Sequence, residues 1–178
     1  NQINKENVNI IGIDIDEGNI EVLKSKFKGP ANFQFINEDI LKFKLEDSGT
    51  SFRIIGNLPY NISTQIILNY VDSYKKIIDM HFLVQKEVAQ KIAGKVSTKD
   101  WGKLAIKISA FFEIEILFDV PREAFDIKPK VNSTFIRLLP KKDLSYNLSI
   151  KNNLYKIIDL AFSSRRKTIK NNLKSLDI

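Results

Sequence analysis

The 178 residues contain no cysteine, and only one methionine, one tryptophan and one histidine. The first absence excludes disulfides and thiolate metal sites, and it is compatible with an intracellular protein; a cytoplasmic location is expected. No unbroken apolar run approaches the roughly 20 residues of a membrane-spanning helix, and the start, Asn1 to Asn9, is polar where a signal peptide is apolar. No membrane association is therefore expected. The single histidine, His81, lies between Met80 and Phe82 in an apolar stretch and reads as structural. No His/Cys/carboxylate spacing suggests a metal, and no Ser-His-Asp arrangement can be built. Internal repeats and low-complexity segments are also missing.

What is present supports a folded, mainly neutral body with a basic end. Hydrophobic residues make up 43% of the chain, enough for a real core. The net charge of +7 is unevenly placed: residues 1–140 carry 19 Lys/Arg against 18 Asp/Glu, and residues 141–178 carry nine against three. Such a tail suits a polyanionic partner, although a lysine-rich solvated helix face gives the same count.

Apolar, β-favouring runs predict strands over Ile10–Ile15, Phe33–Ile36, Phe52–Ile55, Ile77–Val84, Glu113–Val120 and Val131–Leu139. Helices are expected over Gly18–Phe27 (closed by Gly29-Pro30), after Ser63 or Thr64, over Lys86–Gly94 and over Trp101–Phe112. Alternating strands and helices give an α/β protein with a mainly parallel sheet covered on both faces. The last two strands, joined by a loop alone, should form an antiparallel pair at one edge. Pro140-Lys141-Lys142-Asp143 reads as a boundary between a domain of residues 1–140 and a small helical segment of residues 141–178, with helices near Ile150–Phe162 and Arg166–Leu176.

One stretch concentrates chemistry. The strand ending at Ile55 breaks at Gly56 and runs into Asn57-Leu58-Pro59-Tyr60. Proline fixes its own φ and pushes the preceding residue out of the helical region, so Leu58-Pro59 is a stiff, extended corner. Ser63 or Thr64 can then cap the next helix. The loop thus sits at the C-terminal end of a strand, where open α/β sheets bind ligands. An amide, a carbonyl before proline and an aromatic ring suit a planar base with an exocyclic amine. Asn57 and the Leu58 carbonyl can accept the two amine hydrogens while Tyr60 stacks on the ring. That would localise the amine lone pair for attack on an electrophilic methyl group. From these four residues alone, an ordinary proline turn remains the alternative. Asp14 and Asp39 also end strands, where carboxylates either bind ribose hydroxyls or cap the following helix, Asp16 being the most plausible cap.

The run Asn57 to Thr64 resembles the rRNA adenine N6-dimethyltransferases, most closely their bacterial small-subunit branch; the Erm resistance enzymes usually have isoleucine where this chain has Leu58. Asp79-Met80-His81-Phe82-Leu83-Val84-Gln85-Lys86-Glu87-Val88, Phe125-Asp126-Ile127-Lys128-Pro129-Lys130-Val131-Asn132-Ser133 and Phe162-Ser163-Ser164-Arg165-Arg166-Lys167-Thr168 are similar to the same family. The resemblance implies a Rossmann-like methyltransferase sheet, S-adenosylmethionine as cofactor, and Asn57, Leu58, Pro59 and Tyr60 as the catalytic loop. It implies that Asp14 holds the cofactor ribose and Asp39 its adenine amine, with Ile15 and Ile40 on the adenine faces and Asn57 adjoining. Phe125 would stack on the target adenine opposite Tyr60. The basic stretch Arg165, Arg166, Lys167 and Lys170 would contact rRNA, with Ile169, Leu173 and Leu176 as the docking stripe.

The family also has a glycine-rich loop after a first strand, which Gly12 and Gly18 do not form. The expectation is therefore a sheet without that strand and its loop, and a shortened C-terminal domain. The implied activity is dimethylation of small-subunit (16S) rRNA adenosines by a monomer acting on the 30S particle. The competing readings are a large-subunit rRNA or DNA adenine methyltransferase, and a non-catalytic RNA-binding assembly factor.

Overall fold

The structure, a computed structural model, describes residues 8–27, 32–45, 51–142, 144, 148–164 and 166–176. Gly29-Pro30, Asp143 and Arg165 lie outside the described residues. The chain divides into two compact units, Asn1–Glu46 and Asp47–Ile178.

In the first unit, β1 (Ile10–Asp14) pairs in parallel with β2 (Phe33–Asn37), with Ile10 opposite Phe33 and Asp14 opposite Asn37. Parallel strands need a crossover, here the helix α1 (Glu17–Lys26). Asp16 starts that helix by accepting hydrogen bonds from the backbone N–H groups of Gly18 (2.8 Å) and Asn19 (3.3 Å). Ile20 is buried, and Phe27 stacks on Phe33 with ring centroids 5.0 Å apart. A Cβ at Gly12 would lie 2.8 Å from the Phe35 ring, so the missing side chain is what admits that ring onto β1.

In the second unit, β3 (Phe52–Asn57), β4 (Ile77–Gln85), β5 (Phe112–Val120) and β6 (Ser133–Pro140) form one sheet in the order β3-β4-β6-β5. β3 and β4 are parallel, while β6 runs antiparallel to both β4 and β5. The antiparallel pair at one edge is found as expected. β3, β4 and β5 run one way and β6 alone runs the other, because the loop between β5 and β6 contains no crossover helix and the return strand must reverse.

One face of this sheet carries Met80, Phe82, Val84, Ile136 and Leu138, each at most 1% exposed. Covering this face are α2 (Ser63–Asn69), the 3-10 helix Tyr70–Lys76, α3 (Lys86–Ile92) and α4 (Lys103–Ser109), which bury Ile66, Ile67, Val71, Ala89, Ile92 and Ile108. At about 1.5–3 kcal/mol for each large apolar side chain buried, this face dominates the stability of the unit. On the opposite face of this sheet Ile55 is 70% exposed. The helix expected over Trp101–Phe112 stops at Ser109, where Phe111 and Phe112 turn inward and are fully buried.

α5 (Lys151–Ala161) docks through Ile158 and through Lys107, whose ammonium lies 2.8 Å from both Asp159 oxygens. The helix expected over Arg166–Leu176 is shorter: α6 covers only Ile169–Asn172, followed by a 3-10 turn at Lys174–Leu176. The apolar stripe is also corrected, since Ile169 is 59% exposed and the buried residue is Asn172. Its amide donates to the Ala161 and Ser164 carbonyls at 2.7 and 3.0 Å, capping the end of α5.

Candidate active site

β3 ends at Asn57, and the next residue still follows the ladder: the Leu58 N–H donates to the Leu83 carbonyl of β4 at 3.1 Å. Leu58 is buried, so the corner is anchored by an apolar side chain as well as a hydrogen bond. Gly56 makes room for that anchor, because a Cβ there would meet the Leu58 side chain at 3.1 Å. Pro59 is exposed, and its carbonyl accepts from Ile62 N–H at 3.2 Å to close the turn. Asn57 is exposed, and neither its side-chain amide nor the Leu58 carbonyl is engaged by another described residue. Two acceptors are thus presented beside a rigid corner.

Tyr60 is half-buried and tied at two points. Its carbonyl accepts from the Ser63 hydroxyl at 3.3 Å, and its phenol shares a 2.8 Å hydrogen bond with the Ser133 hydroxyl. Neither Ser63 nor Thr64 caps α2: the cap position is Ile62, which makes no side-chain cap bond. Ser133 joins the site only through the tertiary structure. The signal was its place at the end of the Phe125-to-Ser133 block, two residues before the alternation of β6 becomes clear.

Phe125 lies half-buried in the loop between β5 and β6, just after a single 3-10 turn at Arg122–Ala124. The loop is pinned at its base. Asn132 accepts Arg122 N–H with its side-chain oxygen (3.2 Å) and Lys86 N–H with its carbonyl (3.0 Å). The loop therefore starts and ends at the sheet edge where Ser133 meets Tyr60. Beside it a cleft of about 620 Å³ is lined by Lys86, Gln90, Arg122, Lys130 and Asn132 among others. Lys86 pairs with Asp119 at 2.5 Å, and that bond, together with one from Thr134, holds the Asp119 carboxyl below the usual aspartate range.

His81 stacks on Phe135, with Nδ1 3.4 Å from the buried Asp79 carboxylate, which Arg53 grips with two hydrogen bonds of 2.8 and 2.9 Å. Among the described residues no group of three or more His, Asp or Glu is arranged to hold a metal ion. No helix of the described residues is long and apolar enough to cross a membrane.

In the first unit, Asp14 is the last residue of β1 and Asp39 follows β2. Asp14 is half-buried and accepts from Asp16 N–H (2.9 Å) and the Asn19 amide (3.1 Å), one bond on each oxygen. Asp39 accepts from Leu41 N–H at 2.9 Å with one oxygen. Both carboxylates keep lone pairs for further donors. Ile15, beside Asp14, is 72% exposed, an apolar surface next to an acceptor, and Ile40 is half-buried. Carboxylate acceptors next to exposed aliphatic carbon suit a nucleoside. At the other end of the chain, Arg166, Lys167 and Lys170 are all exposed.

The profile of a family described as ribosomal RNA adenine dimethylase matches residues 1–177. The chain is 39% identical over 167 residues to the ribosomal RNA small subunit methyltransferase A of Pseudomonas fluorescens, covering 92% of this chain and 62% of that protein. To the protein of the same name from Wigglesworthia glossinidia brevipalpis it is 38% identical over 176 residues, 97% of this chain and 67% of that one. The chain thus spans about three-fifths to two-thirds of the length of these relatives. Among solved structures, a dimethyladenosine transferase from Plasmodium falciparum superposes with a TM-score of 0.80 at 25% identity, covering 93% of this chain and 59% of that one. The 23S rRNA methyltransferase ErmE superposes with a TM-score of 0.75 at 24% identity over 94% of this chain and 66% of that one, a likeness of fold.

Proposed function

The chain belongs to the ribosomal RNA adenine dimethylase family, and on that premise we propose that the whole protein transfers methyl groups from S-adenosylmethionine to N6 of adenosines in small-subunit rRNA. It does so in the cytoplasm, as a monomer acting on the 30S particle. The observation that carries this reading is the loop after β3, where two unengaged acceptors stand beside an anchored corner and a tethered aromatic ring.

Asn57 and the Leu58 carbonyl accept the two hydrogens of the adenine amine and draw its lone pair out of conjugation with the ring. Pro59 keeps the Leu58 carbonyl in the extended geometry that this requires. Tyr60 stacks on one face of the flipped base, and Phe125 on the other. Asp14 accepts the ribose hydroxyls of S-adenosylmethionine and Asp39 its adenine amine, with Ile15 and Ile40 against the adenine faces. Bound S-adenosylmethionine supplies an electrophilic methyl group. Residues 1–140 form the catalytic part, and residues 141–178 begin a helical RNA-contacting part in which Arg165, Arg166, Lys167 and Lys170 face phosphates.

The test is methyl transfer by the full-length protein to small-subunit particles that lack the modification, with digestion and mass spectrometry of the nucleosides. N6,N6-dimethyladenosine in small-subunit rRNA is expected. Its formation only in large-subunit rRNA would replace the substrate assignment. RNA binding without transfer to either would leave a non-catalytic assembly factor.

A further inference from the structure

Ser133 is fully buried at the start of β6, opposite Gln85 at the end of β4 and Val120 at the end of β5. Its hydroxyl meets the Tyr60 phenol at 2.8 Å across 73 residues of sequence. The bond gives the fully buried Ser133 hydroxyl its partner, and it also acts on the half-buried tyrosine. It restricts where the ring can be. With the Tyr60 carbonyl held by Ser63 and the phenol oxygen held by Ser133, a change of χ1 would swing the phenol oxygen several ångströms and break the bond.

We infer that Ser133 is a positioning residue, whose hydroxyl holds the Tyr60 ring in the orientation that receives the target base. The inference rests on the reading that Tyr60 stacks on that base. A ring already fixed loses less rotamer freedom when the base arrives, and the amine is then aligned with the Asn57 and Leu58 acceptors from the outset. The neighbouring Asn132 strengthens the case. The dipeptide Asn132-Ser133 ties together the base of the Phe125 loop, the first residue of α3 and the Tyr60 ring. One strand end thereby sets the relative placement of both sides of the proposed base pocket.

The experiment uses the full-length protein and unmodified small-subunit particles, with Tyr60→Phe, Ser133→Ala, the double variant and Tyr60→Ala. Tyr60→Phe and Ser133→Ala delete the same bond from opposite ends. Each should lower kcat about fivefold, the worth of one neutral hydrogen bond. KM for the particle should stay within about twofold, because phosphate contacts dominate RNA affinity. The double variant should be no slower than either single one. Tyr60→Ala, which removes the stacking ring, should be at least about tenfold slower still.

If the two single losses multiply in the double variant, Ser133 acts other than through Tyr60 and the inference is wrong. If Tyr60→Phe is as fast as the wild type while Tyr60→Ala is slow, the tether is irrelevant and only the stacking role survives. Wild-type turnover in Tyr60→Ala would remove the stacking role and this inference together. Should Ser133→Ala fail to fold, Tyr60→Phe decides alone, since it deletes the same bond from the less buried side.

Discussion

Replacing Asn57 by alanine separates chemistry from stability. The side chain is exposed and engaged by no other described residue, while the backbone continues the pairing of β3 with Leu83 of β4. Alanine keeps that backbone and removes only the amide, so stability should change by no more than about 0.5 kcal/mol, the ordinary range for surface positions. Turnover should respond differently. An oriented polar group that acts on charge developing in the transition state is worth on the order of 10²-fold or more, about 2.7 kcal/mol. RNA affinity depends mainly on phosphate contacts and should remain within about twofold. The assay is methyl incorporation into unmodified small-subunit particles under saturating substrate, with thermal unfolding and RNA binding measured on the same preparation. Unchanged turnover would remove Asn57 from the mechanism. A loss of turnover matched by an equal loss of stability would show that the residue serves the fold.

Three other outcomes are expected. Charge reversal at Arg166, Lys167 and Lys170 should weaken RNA binding and reduce the log–log salt slope by roughly 0.7–0.9 for each phosphate no longer neutralised; an unchanged slope in a salt titration would make this stretch a solvated face. Asn172→Ala should cost about 1–3 kcal/mol by taking the side-chain donor from the Ala161 carbonyl and leaving the Ser164 carbonyl with the Lys167 N–H alone, seen as a lower midpoint in denaturant unfolding. Gly94→Ala would place a Cβ 2.4 Å from the Asp100 carbonyl oxygen, which is backbone and cannot rotate away, so a loss of about 1–3 kcal/mol is expected in the same assay and a neutral effect would refute that close approach.

Much of this protein was legible in the sequence because its causes are local. Proline after Leu58 imposes its corner whatever surrounds it, and the alternation over Val131–Leu139 specifies a strand by its period, found as Ser133–Pro140. Asp16 announces a helix start because its oxygen needs only the next two or three N–H groups. Local rules failed where other groups competed for the same atoms. Ser63 does not cap α2, because its hydroxyl is drawn to the Tyr60 carbonyl. The helix expected to reach Phe112 ends at Ser109, because burying Phe111 and Phe112 outweighs another turn of helix. The sequence predicts the last helix from an apolar stripe, whereas its docking is decided by Asn172, a polar residue whose partners lie 8 and 11 residues away. The β3-β4-β6-β5 order and the Tyr60–Ser133 bond belong wholly to the tertiary structure. No period or propensity links residues 73 apart; only the reversal of β6 between β4 and β5 brings that hydroxyl to the ring.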